Sequence, residues 1–502
     1  MITTVKTPSS RCRWGLARGD ITPPVGIYHR MWGAATHDRA TGVHRPLLAT
    51  AVALAAIDDV DAAEPFVLVA LDHCLFWPAE MTRLRQALLE DQQLRPEQLL
   101  VTFSHTHGAG LMDRSRADLP GGDLIGPYLD QLAQQLNALV RQARMDVAPA
   151  TISYGVGRCN LAGHRDAWDE QSQQWVCGWN PGGPADDTVL VARVDYDTPQ
   201  PSTRDLPANA GATIVNYACH PTTLAWENTL ISPDYVGALR ETIEQATGGP
   251  CLFLQGASGD LGPREGYVGD AAVADRNGRQ LAHASLSTLE SLPLPQTTSH
   301  YTGPVVSGAT LGTWAHCPWS DERRRAACGF ALRRIVVPLP YRSDRPQLAD
   351  LRRDREHWIS EESAAVGAGD LSRAREARAM IERATRALTR WGHCPPGDAF
   401  PYELTLLRLG DAVWVFGEGE LYQLFQTELR RRCPDCTLLV GSLANGWRCS
   451  YLPTRETFAK VSRTLGSVRD TGVYQAEVAL LAPGCLETLI DAAVDAVRAL
   501  IV

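Results

Sequence analysis

Short apolar runs and amphipathic stretches take turns along most of this chain. Phe66 to Leu71 is six apolar residues between Pro65 and Asp72, so it reads as a buried strand. Leu99 to Ser104, Thr188 to Val194, Ala212 to Tyr217 and Cys251 to Leu254 share that short, β-rich character. Glu80 to Gln92 and Tyr128 to Arg144 instead space their apolar residues three and four apart, as amphipathic helices do, and Val236 to Ala246 reads as a third helix. This alternation predicts an α/β layered core. Between 345 and 391 the composition turns to Arg, Glu and Ala on either side of Gly367-Ala-Gly369. That predicts two amphipathic helices in an antiparallel hairpin. Strands return at Glu403 to Leu409, Ala412 to Phe416 and Thr437 to Val440, and Leu486 to Ile501 closes the chain as a helix.

Composition narrows the class. A length of 502 residues allows roughly three domain-sized units. With 44% hydrophobic and 21% charged residues the chain is globular, which excludes disorder, collagen and coiled coil. A net charge of −9 argues against a basic nucleic-acid surface or a polybasic membrane anchor. No apolar run is long enough for a membrane helix, and the first residues lack the apolar stretch of a signal peptide. Thirteen cysteines, an odd number scattered widely, fit reduced thiols in a cytoplasmic protein. The one close pair, Cys433-Pro-Asp-Cys436, is a weak candidate for a redox or half-zinc motif because no second pair accompanies it.

Four polar islands follow apolar strands, where α/β proteins place their sites. Ser104-His105-Thr106-His107 comes first. Two histidines spaced by two in extended chain reach the same side, so both can address one centre, although satisfied surface histidines would read the same way. His220, before Pro221, ends the second strand. The third island, Gln255 to Pro263, is a Gly-rich loop that is neither a phosphate loop nor a nucleophile elbow. The fourth is Phe416-Gly-Glu418-Gly-Glu420, where a carboxylate could be a helix-capping residue or a ligand. Two histidines and a glutamate from three strand ends make a zinc-hydrolase set with an open coordination position.

The order of these islands resembles the catalytic domain of the neutral/alkaline, non-lysosomal ceramidases, zinc amidases that cleave an N-acyl bond. The likeness starts at Gly15-Leu-Ala-Arg-Gly-Asp-Ile-Thr-Pro-Pro24 and includes Ser104 to His107, Asn216 to Pro221, Gly259-Asp260 and Gly446 to Thr454. It implies one catalytic domain over residues 1–502, with 345–391 as a helical insertion and 430–502 completing the same body. It further implies Zn2+ held by His105, His220 and Glu420, with Tyr451 approaching the metal. Glu420 matches the family's register better than Glu418. His107 would stand beside the reacting amide, and Tyr451 or Tyr474 would stabilise the oxyanion. Arg165 is the nearest match to a substrate-facing arginine after Asn160. Asp260 would orient a ligand histidine or cap a turn, and Gly259 would lie against the substrate.

Two departures change the expected chemistry. Gly262 stands where the ceramidases carry a serine beside the scissile amide, so attack by zinc-activated water with His107 as proton carrier is the expected route. The chain also lacks the family's immunoglobulin-like tail and secretion signal, which favours a small amide or acyl substrate over membrane ceramide. Alternatives are an esterase or lactonase on the same fold, or a non-catalytic member that keeps the metal.

Overall fold

The structure is a computed structural model that describes residues 3–61, 65–198, 210–460 and 472–501. Eight strands form the main sheet: β1 Ser9–Asp20, β2 Leu48–Ala55, β3 Phe66–Leu71, β4 Leu99–Phe103, β5 Ala148–Arg158, β6 Thr188–Tyr196, β7 Ala210–Tyr217 and β8 Cys251–Gln255, in the order β8-β7-β6-β5-β1-β2-β3-β4. A second sheet holds β9 Phe330–Pro340, β10 Ala399–Leu409, β11 Ala412–Gly417 and β12 Thr437–Gly441 in chain order. The principal helices are α1 Pro78–Gln92, α2 Ile125–Met145, α3 Tyr235–Thr247, α4 Ala271–Glu290, α5 Leu348–Gly367, α6 Leu371–Gly392, α7 Leu424–Arg432 and α8 Cys485–Ile501.

Period-two side-chain alternation sorts these elements into four layers. One face of the main sheet, with Val67, Val69, Leu99 and Val101, packs on α1 and α2. Towards the β8 edge the same role passes to Val189, Val215 and Phe253 under α3 and α4. The opposite face, with Trp14, Leu54, Leu68, Ile152 and Leu254, meets Leu407, Leu409, Trp414 and Phe416 of the second sheet. The far face of that sheet buries Leu404, Val413 and Val415 against α7 and α8. Helix, sheet, sheet, helix is therefore the build: an α/β fold, as the sequence pattern predicts.

The main sheet curls until its outer strands β4 and β8 lie close together. The chain leaving β12 bridges them. Ser442 N donates to Gln255 O at 2.9 Å on the β8 side, and Asn445 N donates to Val101 O at 2.7 Å on the β4 side. Asn445 Oδ1 accepts from Val101 N at 3.0 Å in return. This curl is what brings the ends of β4, β7 and β11 to one place.

The predicted hairpin is present as α5 and α6, and it packs on more than itself. Glu382 on α6 accepts from both Nη atoms of Arg116 at 3.0 and 2.8 Å, and Arg386 donates to Met31 O at 2.5 Å. Gly33 sits so close to Ala379 that a Cβ there would collide with it. The hairpin therefore lies on the loop that carries Trp32. The thirteen cysteines are all unpaired thiols. Among the described residues no helix is long and apolar enough to cross a membrane.

Candidate metal centre

Three strand–helix–strand units share one polarity: β3 and β4 run parallel, as do β7 and β8, and β11 and β12. Their carboxyl ends meet at the site, and each delivers one side chain. His105 follows β4 with φ of +68°, a conformation uncommon outside glycine. Its N–H donates to His73 O at 3.0 Å. His220 follows β7. Glu420 follows β11 through Gly419, whose φ is +70° and whose missing Cβ leaves room for Cys449 Sγ and Ser450 O. Beyond it, Glu420–Leu421 pairs in parallel with Tyr451–Leu452.

His105 Nε2 lies 3.3 Å and His220 Nε2 2.7 Å from Glu420 Oε2, and all three side chains are buried. Their ligand atoms fall within 4.8 Å of one another. The surrounding hydrogen bonds define the tautomers. His220 Nδ1 is 2.7 Å from Ser258 O and 3.0 Å from Leu261 O, while His105 Nδ1 is 2.8 Å from Cys74 O. A carbonyl only accepts, so each Nδ1 carries a hydrogen and each Nε2 faces the carboxylate; on His220 that atom presents a lone pair. Trp447 Nε1 donates to Glu420 Oε1 at 2.7 Å, which leaves Oε2 to the histidines.

Lone pairs facing at 2.7 Å repel unless a cation lies between them. His220 does not supply it as a proton, because burial, reinforced by Arg165, lowers its pKa to about 3. Burial also opposes a proton on His105, but Cys74 and Glu420 outweigh it and raise that pKa well above the ordinary range. Burial would raise Glu420, yet His105 and His220 hold it well below normal. Two imidazole nitrogens and a carboxylate, each fixed by an outer hydrogen bond, suit a divalent metal. This group could bind one.

Comparison with solved structures places the architecture. Neutral ceramidase from Pseudomonas aeruginosa superposes with a TM-score of 0.59 at 14% identity, covering 99% of this chain and 75% of that one. The fold is that of neutral ceramidase. A ceramidase complexed with C2 matches with a TM-score of 0.60, also at 14% identity, over 98% of this chain and 76% of that one. No family model and no curated protein matches the sequence.

On this ceramidase fold the other residues singled out from the sequence divide into two groups. His107, Tyr451 and Arg165 lie around the three ligands, with Tyr474 beyond Tyr451. The His107 ring lies 5.0 Å from that of His105 and 5.1 Å from Trp32, and its Nε2 is shielded from solvent without a partner. Burial, then His105 and His220, push its pKa well below normal. Tyr451 stacks on His220 at 6.4 Å and accepts from Arg165 Nη2 at 3.1 Å. Arg165 is anchored by Gly259 O at 2.8 Å. The Tyr474 ring sits 6.0 Å from Tyr451 and is 40% exposed.

The second group lies behind or away from the ligands. Asp260 holds the segment after Glu420, accepting from Gln423 N and Nε2 at 2.8 Å each. Gly259 N donates to Leu421 O at 2.7 Å. Gly262 pairs with Gly163, and a Cβ on it would find nothing nearer than 3.8 Å, so space for a serine remains. Asn160 is exposed and bonded to Gln280 at 2.7 Å, outside the group. Glu418 faces the other way, in a bidentate pair with Arg448 at 2.8 and 3.0 Å.

Sequence reasoning missed the carbonyls of Cys74 and Ser258, which carry no side-chain signal, and the role of Trp447. It also missed Arg390, whose guanidinium lies 5.8 Å over the Trp447 ring.

Proposed function

We propose that this chain is a zinc-dependent hydrolase that cleaves the N-acyl bond of a small amide. What carries the reading is the convergence of two imidazole Nε2 atoms on one buried carboxylate oxygen. His105, His220 and Glu420 would hold the zinc, a set that leaves one coordination position open. A zinc ion held there would supply Lewis-acid chemistry, polarising a carbonyl and easing the ionisation of water at neutral pH. His107, neutral and with a free Nε2, takes a proton from water and returns it to the leaving nitrogen. Arg165 donates to the Tyr451 oxygen, and the phenol, which also reaches Glu420, would turn its proton to the developing oxyanion. Trp32, Trp226 and Tyr267 touch edge to face at 6.3 and 5.7 Å and offer an apolar wall to an acyl chain. The likeness to ceramidases supports an amide as the bond.

One observation favours a second reading. The place of the family serine at Gly262 is open and has no hydroxyl. An ester or lactone, whose leaving group needs less help than an amine, fits that loss. A panel of N-acyl amides and p-nitrophenyl esters, tested on the zinc-loaded protein, separates the two. Amide turnover that falls ~10²–10⁴-fold in His107→Ala with zinc retained supports the amidase. Ester-only turnover selects the second reading, and bound zinc without turnover of either contradicts both.

A further inference from the structure

We infer that the amide carries a carboxylate on its amine side, as an N-acyl amino acid does, and that Arg390 binds that carboxylate beside the metal centre. The inference rests on the amidase reading above and names its substrate class.

Arg390 lies in the last turn of α6 and is only 7% exposed. Its Nε is shielded from water without a hydrogen-bond partner. No carboxylate forms an ion pair with its guanidinium among the described residues, and the group lies over the Trp447 face. Two other buried arginines are paired, Arg116 with Glu382 and Arg240 with Asp72, whereas Arg165 is held by Gly259 O and the Tyr451 hydroxyl. A guanidinium buried without a counter-charge is costly, and the ordinary remedy is an anion in reach. After burial, the strongest electrostatic influences on Arg390 come from Tyr474, Arg386, Arg383 and Tyr451. Burial lowers its pKa to about 10, so it remains a cation at neutral pH.

Its position ties the charge to the reaction. Trp447, beneath Arg390, is the residue that holds Glu420 Oε1. Arg165 lies 5.6 Å from the Tyr451 ring. Arg390 lies over Trp447, whose ring is 6.3 Å from that of Tyr451, and the one carboxylate of the ligand set, Glu420, is taken up by the histidines and Trp447. With a dication bound, the site holds a large excess of positive charge that a neutral amide would leave unbalanced. The planar fork of arginine fits a carboxylate through two parallel hydrogen bonds. The aromatic wall stands on the His107 side and Arg390 on the Trp447 side, so the acyl chain takes the first and the carboxylate the second. The contacts of α6 with Arg116, Met31 and Gly33 hold Arg390 in place from below.

The test compares N-dodecanoylglycine with its neutral analogue N-dodecanoylglycinamide on the zinc-loaded full chain. Wild type is expected to favour the anion at least ~10-fold in kcat/KM, from a charge-assisted hydrogen bond. Arg390→Gln is expected to bring that ratio towards one, chiefly through KM for the anion, and Arg390→Lys to keep part of it. Equal rates on both substrates, or a ratio unchanged in Arg390→Gln, would overturn the inference while leaving the amidase intact. Calorimetric binding of N-dodecanoylglycine gives an independent reading. Arg390-dependent binding without turnover supports the anion site and sinks the amidase, whereas binding indifferent to Arg390 sinks the anion site.

Discussion

Glu420 Oε2 and His220 Nε2 stand 2.7 Å apart, although 200 residues separate them in the chain. Both atoms are acceptors, because the other ring nitrogen of His220 is already committed to two carbonyls. That contact is stable with a cation between the two, and His105 shares the same oxygen from the other side. Metal binding should therefore stabilise the fold as well as enable chemistry. At a thousandfold excess of metal over Kd the gain is about 4 kcal/mol. Calorimetry should show Tm falling on chelation and returning when zinc is restored.

The two glutamates of the Glu418-Gly-Glu420 stretch should separate cleanly. Glu420→Gln removes a ligand and should empty the site of metal. Glu418→Gln should leave metal content intact and destabilise the fold by up to about 3 kcal/mol, since it strips Arg448 of its partner. Metal analysis alongside denaturant unfolding of both variants checks this.

Gly419 is the hinge that turns Glu420 into the site. A Cβ there is unfavourable twice, through the positive φ and through contact with Cys449 and Ser450. Gly419→Ala should cost about 1–3 kcal/mol and weaken metal binding, because the glutamate moves with the backbone. A zinc titration and an unfolding curve of the variant measure the two effects separately.

The α6 contact carries a pH signature. Burial would raise the Glu382 pKa, but Arg386 and Arg116 overcome it and hold it at about 2. Folding thus lowers this pKa, so the unfolded chain binds the proton more readily. The contribution, roughly 3 kcal/mol for a shift of this size, is fully present above about pH 4.5 and drains away as pH falls towards 2. Unfolding midpoints between pH 5.5 and 2.5 should fall more steeply in wild type than in Glu382→Gln. Parallel curves would contradict the assignment.

Much of the layered core was legible because its strands are buried on both faces. Phe66–Leu71, Leu99–Phe103 and Cys251–Gln255 read as unbroken apolar runs and appear within a residue of where they were expected. Ser9–Asp20 is harder to read: its arginines alternate with buried residues and glycine interrupts the run, although it sits mid-sheet. The hairpin Thr297–Ser307 and Ala309–Pro318 is largely exposed, so no apolar pattern marks it.

The histidines were visible because each follows an apolar strand, and the choice between Glu418 and Glu420 needed the turn at Gly419. Arg390 was hidden for a different reason. The arginine-rich α6 reads as a solvated helix, and which of its faces meets the site depends on how the hairpin docks on Trp32 and Trp447. That docking is a long-range fact with no local signal. The curl that joins β4 to β8 is another, since it depends on Ser442 and Asn445 spanning two strands far apart in sequence.

The most direct test of the metal centre is a crystal structure of the zinc-loaded protein with anomalous data collected at the zinc edge. One peak within about 2.0–2.2 Å of His105 Nε2, His220 Nε2 and a Glu420 oxygen is the predicted result. No peak there, or zinc bound at other residues while these three keep their direct contacts, would contradict it.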